Sequence, residues 1–404
     1  MNYFLDAYKA LRLIYSEGKY LKEAIGTIPD TEDKATAVRI TYGVVERDVE
    51  LDYTIGKLCK RAPKASVAIV LKIGLYCLKY MDSLPDYSVC DNAVRLVKKI
   101  GKTSLSGFVN ATLKSAIGKN IPLPEDKVEA LSIKSSTPLW ITKKIVKQYG
   151  EDAEVILNYK TDGKTHVRPN TNRCTTDRLL SLIENSKVSE VGGVYANITR
   201  EVKELFQKGE ITYQSPSSMK ISRLAVDGVE GKILDVCSAP GGKSVYMSEL
   251  TNSKVIALDI HPHRVDLIKS YASRMGADVE ARVQDATEYV PEWSQVFSAV
   301  LVDVPCSGIG VRYTKPDVLL NRRESDVVEL YKLQEKILEN SSKYVKVGGY
   351  LTYSTCTLFE EENERVIERF LYKNPEFLRD REMKIIPGVN GEDGFFAVRL
   401  KRVV

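Results

Sequence analysis

The sequence predicts a multidomain protein: an all-helical N-terminal region, a small α+β module, and a C-terminal Rossmann-like α/β sheet. Three observations carry that expectation. Residues 1 to about 120 show helical spacing throughout and no strand signal. From Ser217 to Val404, short apolar runs alternate with helical patterns, as in a parallel sheet. A strand, glycine turn and helix start, GKILDVCSAPGGKS at 231–244, stands at the head of that alternation.

In the N-terminal region apolar residues recur at helical spacing in Tyr8-Leu11-Ile14-Tyr15, in Ala37-Ile40-Val44 and in Val67-Val70-Leu71-Leu75-Leu78. Pro63 and Pro85 fall between helices, and Asp86-Tyr87-Ser88 is expected to cap a helix from Val89 to Ile100 that Gly101 ends. A short helix from Gly107 ends near Gly118, and Pro122 and Pro124 mark a linker, placing the domain boundary at about 125. The net charge of +5 is unevenly spread: residues 51–120 carry a net +8, whereas residues 1–50 carry −2. A basic block on a folded helical module is the expected footprint of a phosphate backbone.

The middle region, 126–216, opens with an amphipathic helix, Leu139 to Tyr149, with Lys143, Lys144 and Lys147 outside. After it come a strand at Thr165–Arg168, a helix capped by Thr175 or Thr176, a strand at Lys187–Val191, a largely helical stretch to Phe206 and a strand at Ile211–Gln214. About fifty residues barely form a core alone, so this module is expected to dock on the C-terminal α/β domain. Arg168, with Asn170 and Asn172 in a loop, is a candidate RNA contact.

In residues 217–404 the expected strands are 233–236, 255–258, 280–283, 299–303 and 350–353, with a closing antiparallel strand after Gly394. The turn at the end of the first strand is Cys237, Ser238, Ala239, Pro240, Gly241 and Gly242, followed by Lys243 and Ser244. It is not a phosphate loop, which would need glycine at position 237, and G-x-G-x-x-G is absent. A nucleoside ligand without a pyrophosphate suits it, and S-adenosylmethionine is the commonest such cofactor. Asp259 ends the second strand, eighteen residues past Gly241, where a carboxylate holds ribose hydroxyls. Asp285 follows the third strand, suited to accept from an adenine amino group, and Asp303 ends the fourth.

Seven cysteines without C-x-x-C pairs or clustered histidines argue against a disulfide framework or a metal site, and for a reducing cytoplasm. The longest apolar runs are far too short to span a bilayer, and the N-terminus lacks a cleavage-site pattern. Two of the cysteines stand apart: Cys306 lies just beyond the fourth strand and Cys356 just beyond the fifth, both facing the cofactor rim. A thiolate is a strong nucleophile that can add to carbon 6 of a pyrimidine. Carbon 5 then becomes nucleophilic enough to take a methyl group from a sulfonium, and a second thiol can assist proton removal or release.

With these residues in view, 217–404 resembles the catalytic domain of the RsmB/Sun-type RNA cytosine-5 methyltransferases. The resemblance rests on LDVCSAPGGKS, ALDI, VQDA, LVDVPCSGIGV and YSTCTLFEEENERVI, in family order. Residues 1–125 are similar to the NusB-like RNA-binding module, with GLYCLKYMD and FVNATLK as cues, and 126–216 would comprise the linker helix and an RRM-like module. The resemblance implies that Cys356 is the attacking nucleophile and that Cys306 promotes product release. It also implies that the Cys237–Lys243 loop, Asp259, Asp285 and Asp303 bind S-adenosylmethionine. Asp303 would also hold the ring nitrogen of the cytosine, and Lys243 would orient carboxylates or cofactor. Two departures from the family pattern stand out: Val311 to Asp317 lacks a histidine, and Gln214 to Ser218 reads QSPSS.

The leading expectation is therefore S-adenosylmethionine-dependent methylation of a cytosine in small-subunit ribosomal RNA by a cytoplasmic monomer. Neither DNA nor a membrane is expected as partner. Transfer RNA is the alternative substrate. A non-catalytic RNA-binding assembly or antitermination factor is the alternative of a different class, and retention of both cysteines with Asp285 and Asp303 speaks against it.

Overall fold

In the computed structural model, which describes residues 2–404, contacts divide the chain into two units. The first comprises residues 2–158 with 314–322, and the second residues 159–313 with 323–404.

The first unit is built from α1 (Tyr3–Glu17), α2 (Leu21–Gly26), α3 (Lys34–Glu46), α4 (Asp48–Leu58), α5 (Ala65–Tyr80), α6 (Asp86–Lys99), α7 (Ser106–Ala116), α8 (Lys127–Lys134), α9 (Leu139–Tyr149) and α10 (Ala153–Asn158). Helix α5 is apolar around most of its circumference, Lys72 and Lys79 excepted, and is accordingly largely enclosed, with α1, α3, α4, α6 and α7 packed about it. The helix expected to start at Val89 begins three residues earlier. Pro85 holds the extended N-cap position, and Asp86 sits in the first turn, where a negative charge complements the helix dipole. Helices α8 and α10 were not legible as elements. Asp126 caps α8 by accepting from Glu129 N–H at 2.8 Å, and Ser136 Oγ after it accepts from Val49 N–H at 3.1 Å, tying this stretch to α4. A short 3-10 turn, Pro316–Leu319, completes the unit: Asp317 Oδ2 accepts from Leu21 N–H at 2.9 Å, and Leu320 packs against the helical core.

The basic block needs one correction. Lys72 is buried between Asp48 and Asp52 over the Tyr15 ring, and Lys79 pairs with Glu50, so these two charges are neutralised within the unit. Lys57, Lys60, Arg61 and Lys64 remain exposed around the turn from α4 to α5.

The second unit begins with β1 (Thr165–Pro169), α11 (Thr176–Leu182), β2 (Lys187–Val188), β3 (Val194–Ala196), α12 (Arg200–Gln207) and β4 (Ile211–Tyr213). Their antiparallel sheet has the order β2-β3-β1-β4. The strand expected at 187–191 is cut short because Ser189 to Gly193 form a tight turn into β3. Arg168 and Asn170 are not an RNA contact. Arg168 is 1% exposed, lies over the Tyr246 ring and forms a bidentate pair with Glu249, while Asn170 Nδ2 donates to Gly209 O and Met275 O. Asn172 is exposed, its N–H held by Asn170 Oδ1. The expected docking thus occurs through the residues read as candidate RNA ligands.

The remainder comprises α13 (Pro216–Val226), β5 (Ile233–Asp235), α14 (Gly242–Thr251), β6 (Val255–Asp259), α15 (Pro262–Met275), β7 (Val279–Val283), β8 (Phe297–Asp303), α16 (Glu324–Ser342), β9 (Val345–Thr355), α17 (Glu364–Lys373), β10 (Phe377–Ile385) and β11 (Phe395–Arg402). The sheet order is β7-β6-β5-β8-β9-β11-β10, parallel through β9, with β11 and β10 antiparallel. The closing strand was expected. Strand β10 was not, because its central residues are polar and exposed, as an edge strand paired on one side allows. Among the described residues, no helix is long and apolar enough to cross a membrane.

Candidate active site

Strands β5, β6, β8 and β9 end side by side at the carboxyl rim, where open α/β sheets bind ligands. The turn after β5 is stitched to β6 by Ser238, whose N–H and Oγ both donate to Leu258 O, at 2.9 and 2.8 Å. Gly241 has φ +103°, a conformation that excludes a β-carbon, and an added one would press 3.3 Å from the Ile268 backbone. Gly241 is also the N-cap of α14, so no side chain covers the N–H groups of the first turn.

Two carboxylates stand beside this turn. Asp259 is buried and accepts from His261 N–H at 3.0 Å, with the exposed Arg264 at 3.4 Å. Asp285 is half-buried and accepts from Thr287 N–H at 2.8 Å. Carboxylate acceptors for a diol and an amine at the same rim as an uncapped helix start fit S-adenosylmethionine. Cys237 lies in the same turn. Burial pushes its thiol up, and the negative charges of Asp235, Asp303 and Asp259 push it further.

At the centre, Lys243 Nζ lies 2.7 Å from Asp303 Oδ2, and Ser354 Oγ donates to Asp303 Oδ1 at 2.7 Å. Burial opposes the Lys243 charge, but Asp303, with Asp235 and Cys356, outweighs it and holds the ammonium more firmly than usual. Asp235 is fully buried, accepts from Ser244 Oγ at 2.6 Å, and is raised by that burial to about 7, against the countering pull of Ser244 and Lys243.

The two cysteines meet: Cys306 Sγ and Cys356 Sγ are 3.3 Å apart, and Cys356 N–H points to Cys306 Sγ at the same distance. Cys306 is buried and Cys356 is half-buried. The hydrogen bond to Cys356, burial, and the charges of Cys356 and Glu362 push the Cys306 thiol well up. Lys243, by contrast, couples favourably to negative charge on Cys356. Behind Cys306, Gly310 N–H donates to Cys356 O at 3.0 Å and Gly394 N–H to Gly310 O at 2.7 Å. The backbones approach so closely that a β-carbon on either glycine would collide with the other residue.

Sequence reasoning missed the scaffold beneath the thiols. Gln334, Glu362 and Asn363 are fully buried. Glu362 and Asn363 stand within an acidic run, EEENE, whose composition reads as a solvated face. Only the apolar Leu358-Phe359 and Val366-Ile367 flanking that run hinted that part of it turns inward.

The chain is similar to known proteins over most of its length. The family model 16S rRNA methyltransferase RsmB/F matches residues 224–401, and the NusB family model matches residues 5–117. The chain is 30% identical to the probable ribosomal RNA small subunit methyltransferase B of Bacillus subtilis, over 92% of this chain and 91% of the relative. It is 26% identical to the ribosomal RNA small subunit methyltransferase B of Xylella fastidiosa, over 98% and 96%. Among solved structures, PH0851 superposes with a TM-score of 0.83 at 23% identity, covering 99% of this chain and 98% of that one. NSun6 from Pyrococcus horikoshii gives 0.56 at 18% identity, covering 65% and 97%. At such identities the structural matches speak for the fold.

Proposed function

The chain belongs to the RsmB/F family of 16S rRNA methyltransferases, and from that premise we propose that it methylates carbon 5 of a cytosine in small-subunit ribosomal RNA through a covalent Cys356 adduct. The single observation that carries this reading is the pair of sulfurs 3.3 Å apart beside the Lys243–Asp303 ion pair. S-adenosylmethionine, the methyl donor of this family, supplies an electrophilic methyl group on a sulfonium.

The protein's residues make the ring accept it. Cys356 thiolate adds to carbon 6, and the ring electrons move toward carbon 5 and nitrogen 3, where Asp303 holds the pyrimidine edge. Lys243 favours the thiolate before addition and, through its ion pair, holds Asp303 in place. Carbon 5 takes the methyl group, then loses its proton. The carbon 6–sulfur bond breaks, its electron pair returning to Cys356, with Cys306 assisting release. Asp259, Asp285 and the Cys237–Gly242 turn hold the cofactor. A base inside a stem is unreachable, so the target is unpaired or flipped out.

In this reading residues 1–125 supply phosphate contacts through the exposed bases around Lys60, 126–216 link them to the catalytic part, and 217–404 perform the chemistry. The protein acts as a monomer in the cytoplasm, where its cysteines stay reduced.

Labelled cofactor incubated with separate ribosomal and transfer RNA pools, followed by bisulfite sequencing, tests the reaction. Label in small-subunit RNA at a bisulfite-resistant cytosine is expected. Cys356→Ala abolishes transfer, and Cys306→Ala accumulates a denaturant-stable protein–RNA adduct. Full activity of Cys356→Ala would overturn the nucleophile, and label in transfer RNA alone would overturn the substrate.

A further inference from the structure

Two consecutive residues each grip one cysteine loop. Glu362 Oε1 accepts from Ser307 N–H at 2.8 Å and from Gln334 Nε2 at 2.9 Å, and Gln334 Nε2 also donates to Pro305 O at 2.9 Å. The residues on both sides of Cys306 are thereby fixed. Asn363 does the same for Cys356: its Oδ1 accepts from Thr355 Oγ1, and its Nδ2 donates to Thr357 O at 3.1 Å. Ser307 Oγ and Thr357 Oγ1, 2.6 Å apart, join the two loops directly. Tyr353 OH donates to Glu362 O at 2.6 Å, anchoring the pair of gripping residues to β9. Two side chains on neighbouring residues thus each brace one of the two cysteine loops.

The grip is also electrically lopsided. The titratable groups around Cys306 are Cys356, Glu362 from the turn before α17 and the Tyr353 phenol on β9; Lys243 on α14 couples to Cys356, and Asp303 on β8 to Tyr353. The charge of Glu362 faces Cys306, opposed by the Cys356 N–H that donates to its sulfur, while Lys243 acts on Cys356.

We propose that Glu362 is a positioning residue that holds the Pro305-Cys306-Ser307 segment and, by its charge, keeps the proton on Cys306 while Cys356 serves as the thiolate. The inference rests on the division of roles given under the proposed function. During release the carbon 6–sulfur bond breaks with its electron pair going to Cys356, and the Cys306 proton moves onto that sulfur. The carbon 5 proton passes to water, and Cys306 takes a proton back from solvent, so protons and electrons balance. Burial leaves the Glu362 carboxyl above the ordinary carboxylate range, a rise that Ser307 and Gln334 reduce by hydrogen-bonding to its ionised form.

Glu362→Gln tests it, because the amide oxygen still accepts from Ser307 and Gln334 while the charge is lost. In full-length Cys356→Ala protein, the pH dependence of Cys306 alkylation by iodoacetamide is read by peptide mass mapping. With Glu362 present, the midpoint is expected above the ordinary thiol range; with Glu362→Gln it falls by at least one pH unit. Ser307→Ala, which cuts the link to Thr357 but leaves the charge, is expected to leave the midpoint in place. An unchanged midpoint in folded Glu362→Gln overturns the proposal. Should that variant not fold, a Cys306 midpoint within or below the ordinary thiol range in the Cys356→Ala protein alone overturns it. Neither RNA nor cofactor enters the measurement, so failure of the methylation reading leaves this result distinct.

Discussion

Lys243 Nζ and Asp303 Oδ2, 2.7 Å apart, come from the start of α14 and the end of β8, sixty residues apart in sequence. The ammonium faces Asp303, Asp235 and Cys356 together, at the centre of the rim.

Replacing Lys243 with methionine keeps the side chain's bulk and removes that charge. We expect kcat for labelled methyl transfer to fall about 10²- to 10³-fold, in the range found when one preorganised electrostatic contact is lost. Lys243→Arg retains part of the activity. Methyl transfer within threefold of the parent for Lys243→Met would rule out the electrostatic role.

Asp235 makes stability depend on pH with a sign opposite to the usual carboxylate. Its native pKa of about 7 lies above its ordinary value of 3.8, so the folded state holds the proton more tightly than the unfolded chain. This residue's contribution is therefore most favourable below pH 4 and is lost as pH rises toward 7. Asp235→Asn, still able to accept from Ser244, should melt several degrees higher than the parent at pH 8. That difference should shrink as pH approaches 4. Thermal melts across this range check it, and a pH-independent difference contradicts the assignment.

Arg168 and Glu249 form a buried ion pair, and removing one partner strands the other. Arg168→Ala is expected to cost about 3–5 kcal/mol in urea unfolding. RNA affinity of the folded protein should stay within twofold, because the side chain does not reach the surface. Arg168→Met combined with Glu249→Met should recover most of the stability; if the double variant is no better than Arg168→Ala, the stranded charge is not the cause.

Two sulfurs in contact are also open to oxidation. Diamide should remove two electrons and two protons from Cys306 and Cys356, lowering the mass by about 2 Da and abolishing methyl transfer. Dithiothreitol should restore it. Peptide mapping should place the bond between 306 and 356, and Cys306→Ser should show neither the mass change nor the reversible loss.

The catalytic sheet was legible because its parallel strands are buried on both faces and read as short apolar runs, as in Phe297–Asp303. The rim residues were legible because strand ends are where such sheets bind. What escaped was held by polar side chains turned inward. Arg168 looks like a loop cation until Glu249, 81 residues later, is seen to cover it. Glu362 looks like one of several surface acids until Ser307 and Gln334 are seen to surround it. Strand β10 escaped for the converse reason, since an edge strand with both faces polar carries no alternation.

The helical unit is not contiguous in sequence. Residues 314–322 finish it, with Asp317 satisfying the Leu21 N–H and Leu320 closing on the core. A chain emerging from its N-terminus therefore completes α1–α10 and then waits while residues 159–313 are made. At about 5–20 residues per second, that interval is on the order of ten to thirty seconds. During it the N-terminal fold stands open at one seam, and a chain cut short before Thr314 never closes it.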